Sequence, residues 1–110
     1  MGLCGVSLVL QMEDVRRLTV AGYGPVCILG DYNLSFSDNY YFTLRGRETV
    51  LQTFSQNGII LLTHGEKECI DHIAVSESFA AGADVHIEEW NCKRILSDHK
   101  GVAVTLSWNR

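Results

Sequence analysis

Residues 26–33 read Val-Cys-Ile-Leu-Gly-Asp-Tyr-Asn, and this stretch joins a short apolar run to a polar turn. Four apolar residues without polar alternation are typical of a strand buried on both faces, so we expect residues 26–29 to form a central strand. Ligands of open α/β sheets collect where strands end, which makes Asp31 and Asn33 candidate functional residues. The alternative is an Asx turn that only closes the strand.

Hydrophobic spacing predicts the elements on both sides of this stretch. Residues 4–10 alternate and predict a strand, while helical spacing from Met12 predicts a helix that ends at Gly22. Downstream we expect a loop at 35–43, a helix over 47–56, strands at 59–63 and 69–75, a helical turn at 77–81, and strands at 83–90 and 101–108. This order predicts one α/β (α+β) domain over residues 1–110, a mixed β-sheet with helices packed on one face.

Composition excludes several classes of protein. The 110 residues include 13 acidic and 9 basic side chains, a formal charge of −4, whereas nonspecific nucleic-acid coat proteins are strongly basic. No apolar run approaches the ~20 residues of a membrane helix, and the first ten residues lack signal-peptide features, so we expect no membrane insertion. The four cysteines have no C-x-x-C spacing, and we expect free thiols and a cytoplasmic location.

Two further segments place titratable side chains at strands. Residues 70–73 are Ile-Asp-His-Ile, and a carboxylate between apolar neighbours needs a partner, which makes Asp71 a candidate. His72 alternates away from Asp71, and we expect it to face solvent on an edge strand. Residues 97–101, Ser-Asp-His-Lys-Gly, precede the last strand. A protonated histidine beside carboxylates, here His99, can bind a phosphoryl oxygen, although these are also ordinary turn residues.

Three motifs occur in a fixed order: Gly-Asp-Tyr-Asn at 30–33, Ile-Asp-His-Ile-Ala-Val-Ser at 70–76 and Ser-Asp-His-Lys-Gly-Val-Ala-Val at 97–104. Together they resemble the endonuclease/exonuclease/phosphatase superfamily, whose second half carries a Gly-Asp-x-Asn turn, an Ile-Asp-x-Ile strand and a final Ser-Asp-His. The resemblance extends over about residues 12–108. It implies half of a DNase-like four-layer α/β/β/α sandwich, in which two sheets pack face to face with helices outside.

The resemblance also implies a role for each matching residue. Asp31 would orient or deprotonate the attacking water, Asn33 would donate to a phosphate oxygen, and His99 would contact the scissile phosphate. Asp71 would accept a hydrogen bond from the other nitrogen of His99 and keep it charged, and Asp98 would lie at or support a metal site. The implied cofactor is Mg²⁺ (or Mn²⁺), and the implied substrate is a phosphate ester, with nucleic acid and phospholipid esters both open.

The family's first half, which supplies a metal-binding glutamate, has no match here, since Glu13 falls on a presumed surface helix. We therefore expect an incomplete site in one copy. Three functions stay open: a divalent-metal-dependent phosphoesterase or nuclease, an inactive remnant that acts as a binding or dimerising module, and an interaction protein whose exposed sheet face or edge recruits another chain. Half a sandwich would also leave an apolar sheet face bare. We expect a homodimer joined sheet to sheet, or a complementary N-terminal half, to cover that face.

Overall fold

The structure, a computed structural model, describes residues 5–22 and 24–109, and over residues 5–10 it describes the backbone only. Within these residues there are three helices: α1 Gly5–Val20, α2 Leu44–Gln56 and α3 Glu77–Ala80. The five strands are β1 Cys27–Asp31, β2 Ile59–Leu61, β3 Asp71–Ser76, β4 Ala83–Trp90 and β5 Gly101–Trp108. Crossing a bilayer would take a longer and more apolar helix than any found in the described residues.

The strands form two antiparallel sheets, which corrects the single mixed sheet predicted from the sequence. One sheet has the order β1-β3-β2, and the other pairs β4 with β5. β1 and β2 both run antiparallel to β3, so they are parallel to each other, as a strand–helix–strand unit would make them. They are not neighbours, however, because β3, which comes later in the chain, lies between them. The result is a compact α/β domain in which each strand pair is antiparallel.

β1 is an edge strand, and the prediction of a central buried strand was wrong. Ile28 packs against the hydrophobic core, whereas Leu29 on the opposite face is 68% exposed. The apolar run therefore does not indicate burial on both faces: one face packs against the core, and the other presents an apolar side chain on the molecular surface. Leu29 therefore marks the sheet face that points away from the core.

Residues 5–10 belong to α1, which corrects the strand predicted for residues 4–10; Cys4 lies outside the described residues. The apolar residues at positions 6 and 10 fit the alternation of a strand, but they are also four residues apart, which is a helical spacing. The pattern over these few residues therefore does not distinguish a strand from a helix. The helix ends near the predicted stop, where Gly22 has a φ of +73°. This left-handed conformation is easily adopted by glycine and commonly terminates helices.

The core lies between one face of the first sheet and the helices α1 and α2. Both helices therefore pack on the same face of this sheet, as predicted. Its buried members are Leu34, Val50, Phe54, Ile59, Leu61 and Ala74, with Met12 and Val15 of α1 packed against them. α2 begins three residues before its predicted start, because the Thr43 hydroxyl caps it by accepting from the Gly46 N–H at 3.0 Å.

The second sheet has the predicted strand bounds, and the predicted helical turn is α3. Phe79 of α3 packs edge-on against Trp108 of β5 with ring centroids 5.5 Å apart. At the other end, the Trp90 ring lies across Gly101, where an added Cβ would overlap the indole. β5 also contacts β3. This contact brings the segment before β5 close to the start of β3.

Phe54 and Leu51 on α2 provide a matched test of the core, since Phe54 is 2% exposed and Leu51 is 43% exposed. We expect Phe54→Ala to lower the free energy of unfolding by about 3–5 kcal/mol, through lost burial and a residual cavity. Leu51→Ala should cost less than half as much. Urea denaturation of both variants measures the difference, and equal losses would contradict the position of the core.

Candidate functional site

The register of β1 on β3 places Asp31 directly opposite Asp71. Paired residues of an antiparallel ladder point to the same face, with Cβ atoms about 4.5–5.5 Å apart, and two like charges in this position repel each other. Asp31 is exposed and Asp71 is half-buried. A cation beside the two carboxylates would remove the repulsion.

The His99 ring lies beside both carboxylates. Its Nδ1 lies 2.6 Å from Asp71 Oδ2, and its Nε2 lies 3.9 Å from Asp31 Oδ2. The hydrogen bond to Asp71 and the charge of Asp71 raise the pKa of His99, with smaller contributions from the charges of Asp31 and Asp98. One ligand atom from each of Asp31, Asp71 and His99 lies within 4.8 Å of the others. The structure thus brings together three of the five residues that the sequence singled out.

Asn33 stands in the turn that carries Asp31. Its backbone N–H donates to Asp31 Oδ1 at 2.8 Å, and its φ is +54°, so the segment forms the Asx turn that the sequence left open. The turn therefore orients the Asp31 carboxylate, using Oδ1 and leaving Oδ2 toward His99. A role for the Asn33 amide at a phosphate stays a prediction.

Asp98 is exposed and does not belong to the group of ligand atoms formed by Asp31, Asp71 and His99. Its negative charge helps to raise the pKa of His99. The structure thus places Asp98 beside the site as an electrostatic influence on the imidazole. Its role at a metal stays a prediction.

The segment before β5 is anchored by residues that the sequence analysis missed. Asn91 Nδ2 donates to the His99 carbonyl at 2.6 Å, and the His99 N–H donates to Ser97 Oγ at 3.1 Å. The buried Lys100 amine is paired with Glu89 and donates to a backbone carbonyl of the turn before β3. Only the left-handed backbone of Asn91, with φ +55°, has a sequence signal, because asparagine tolerates this conformation.

His72 is buried, which corrects the prediction that it faces solvent. It alternates away from Asp71 as expected, but β3 is the central strand, so its other face meets the core instead of water. Both ring nitrogens are hydrogen-bonded, to Thr63 Oγ1 and to the Leu34 carbonyl, each at 2.7 Å. Burial lowers the pKa of His72, the opposite direction to His99.

An apolar surface adjoins the cluster on the face away from the core, formed by Leu29, Ile73, Trp90 and Val102. These residues, together with Asp71 and His99, line an open cavity of about 290 Å³. We refer to the four apolar residues Leu29, Ile73, Trp90 and Val102 as the Leu29 surface. The charged groups therefore stand at the border of an apolar cleft, where partial exclusion of water strengthens electrostatic interactions.

Comparisons with protein-family models, with curated proteins and with solved structures found no significant match to this chain. The grounds for a function are therefore the residues of the site, their distances and their charge. Asp31 and Asp71 offer carboxylate oxygens that can accept a proton, and His99 offers an imidazole held in position by Asp71. These groups are suited to proton transfer and to binding an oxyanion.

Asp71→Asn tests the origin of the charge on His99. We expect the substitution to lower the pKa of His99 toward its ordinary value of about 6.5, because the main partner of Nδ1 loses its charge. A raised pKa contributes stability that is present below the unfolded-state pKa and is lost as pH rises through the folded-state pKa. The pH dependence of unfolding should therefore flatten above about pH 6.5 in the variant.

NMR titration of the His99 ring, with thermal unfolding followed at several pH values, measures both effects. Glu88→Gln is the matched control, because it neutralises a carboxylate 3.2 Å from the exposed His86. An unchanged His99 pKa in Asp71→Asn would contradict the assignment of Asp71 as its main electrostatic partner.

Proposed function

We propose that the chain is a phosphoesterase- or nuclease-like protein of the family that its motifs resemble, acting on phosphodiester or phosphomonoester bonds. The observation that carries the proposal is the meeting of Asp31, Asp71 and His99 within 4.8 Å. They come from three separate segments of the chain: Asp31 ends β1, Asp71 begins β3, and His99 precedes β5. A carboxylate (Asp31) and a carboxylate–imidazole pair (Asp71 and His99) that meet beside a cleft support a common role in catalysis or binding.

Phosphoryl transfer depends on positioning and on neutralisation of negative charge more than on covalent chemistry. His99, kept protonated by Asp71, presents its Nε2–H to a phosphoryl oxygen. Asp31, whose Oδ1 is held by the turn, uses Oδ2 to orient the attacking water and to accept its proton. Asn33 donates to a further oxygen of the phosphate.

The donor chemistry of the site fits a divalent cation in part. Mg²⁺ prefers oxygen ligands and is often bound through one or two carboxylates with several waters. Asp31 offers such an oxygen, Asp71 is engaged by His99, and Asp98 is the proposed second acid. No further acidic side chain of the described residues joins the ligand group, so we propose a weak or partial Mg²⁺ or Mn²⁺ site. When bound, the cation supplies positive charge opposite the phosphate.

A second candidate is a non-catalytic module that keeps the fold and binds phosphate or another chain. The observation that favours it is the small ligand group, in which the Asp71 carboxylate is already hydrogen-bonded to His99 and Asp98 takes no part. Such a group can hold an anion on the imidazolium without activating a water. Binding without turnover separates the two candidates.

Hydrolysis of bis(4-nitrophenyl) phosphate and 4-nitrophenyl phosphate in the presence of Mg²⁺ or Mn²⁺ tests the proposed function. We expect metal-dependent turnover that EDTA removes. His99→Gln and Asp31→Asn should each lower it by about 10²–10⁴-fold, the usual contribution of a positioned acid or base. The alkaline limb of the pH–rate profile should fall with the pKa of His99, since the protonated ring is the active form.

His86→Gln is the matched control for these rates. His86 is also a histidine near a carboxylate, at 3.2 Å from Glu88, but it is exposed on β4. Its substitution should leave turnover unchanged. Calorimetric binding of Mg²⁺ or phosphate with no turnover of either ester would count against hydrolysis and favour the binding module.

We also propose that a second copy of the chain covers the Leu29 surface, sheet against sheet, in the manner of a DNase-like sandwich. Leu29 and Trp90 are both exposed there, and Ile95 and Leu96 in the neighbouring loop are 81% and 78% exposed. Apolar patches beyond a few hundred Å² are uncommon on monomers. A complementary N-terminal half is the other occupant that such a sandwich would accept.

Leu29→Glu tests the dimer. We expect light scattering at micromolar concentration to give twice the 12.3 kDa chain mass for the parent and a monomer for the variant. A charge in the middle of an interface of about 800 Å² per partner would be desolvated without a counterion. Leu51→Glu, on an exposed position of α2, is the control. A monomeric parent chain at tens of micromolar would contradict the homodimer.

A further inference from the structure

The His72 ring is fixed on the core side of β3, where it is 1% exposed. Its Nδ1 lies 2.7 Å from Thr63 Oγ1, and its Nε2 lies 2.7 Å from the Leu34 carbonyl oxygen. The rings of Tyr32 and Phe36 pack against it, with centroids 5.2 and 4.8 Å away. Two hydrogen bonds and two aromatic contacts therefore restrain the ring.

The chemistry of the partners assigns the tautomer. A carbonyl oxygen only accepts, so Nε2 carries the proton and donates to Leu34. Nδ1 then accepts from the Thr63 hydroxyl, whose oxygen accepts in turn from the Ile73 N–H at 3.2 Å. Burial lowers the pKa of His72, which favours this neutral form. The ring thus links two segments of the chain without a charge in the core.

The bond to Leu34 ties the exit of the Asp31 turn to the central strand. Tyr32 lies inside the same turn, and its N–H donates to the Ile70 carbonyl at 2.9 Å. The turn is therefore attached at two points: its backbone at residue 32 bonds to Ile70, just before β3, and residue 34 bonds to the His72 side chain of β3. The partners in these two attachments, Ile70 and His72, flank Asp71 in the chain, so both hold the Asp31 turn close to the Asp71 backbone.

We propose that His72 is a positioning residue of the site: its imidazole holds the Asp31 turn against β3 so that both carboxylates meet His99. It acts through the Leu34 carbonyl from the core side of the sheet. The inference rests on the proposed function only for its activity readout, because the state of the His99 ring is measurable without turnover.

Three variants of the full chain separate this role from general stability. His72→Phe keeps a ring but removes both hydrogen bonds, His72→Gln keeps a terminal N–H for Leu34, and Thr63→Val removes only the partner of Nδ1. At one fixed pH we expect the ring ¹⁵N and ¹³C–¹H signals of His99 to move toward those of an unpaired histidine in His72→Phe. The shift should be smaller in Thr63→Val and smallest in His72→Gln.

The four histidines of the chain allow assignment by single His→Gln substitutions. Where turnover is present, we expect His72→Phe to lower kcat by about tenfold or more with a smaller change in KM, since misplacement of about 1 Å has effects of this size or larger. His72→Gln should regain most of the loss. His86→Phe, at an exposed position of β4, should change neither readout.

A folded His72→Phe chain with unchanged His99 signals would overturn the proposal, and so would equal shifts in the Phe and Gln variants. Should His72→Phe fail to fold, unchanged His99 signals in Thr63→Val would overturn it. Shifted His99 signals in a chain without hydrolysis would support the positioning role and count against the proposed function alone.

Discussion

The antiparallel register between β1 and β3 is the constraint on which the site depends, because it sets Asp31 opposite Asp71. Two like charges in such a pair destabilise a sheet by up to about 1 kcal/mol, so a register with this pairing needs compensation. His99 provides it from a third segment, with its Nδ1 hydrogen-bonded to Asp71 and its Nε2 toward Asp31. This pairing of like charges breaks a local rule of sheet stability at the candidate site, and such exceptions are typical of functional sites.

Elements with a clear period could be predicted from the sequence, and their arrangement could not. The bounds of Ala83–Trp90 and Gly101–Trp108 follow from alternation alone, and α2 follows from helical spacing. The place of β3 between β1 and β2 depends on pairing between distant residues, which no local pattern encodes. The short alternation at residues 4–10 is compatible with a strand and with a helix, and residues 5–10 form the start of α1.

The difference between local patterns and long-range contacts also explains which residues of the candidate site could be predicted. Asp31 and His99 could be found because each stands in a motif beside a predicted strand, and Asp71 because it lies between apolar neighbours inside one. The burial of His72 could not, since it depends on which strand is central, and the anchoring by Asn91 depends on how a loop closes on itself. The candidate site residues leave local signals in the sequence, while the residues that contact them are defined by tertiary structure.

Two histidines on opposite sides of β3 show how one strand separates these tasks. Alternation sends Asp71 to the open face, where its carboxylate raises the pKa of His99, and sends His72 to the core, where burial lowers its own pKa. A slip of the register by one residue would place the carboxylate in the core and the neutral imidazole at the cleft. The charge of the site is therefore determined by the pairing of β3 with its neighbours, and the buried hydrogen bonds of His72 oppose the slip because Leu34 and Thr63 would lose their partner.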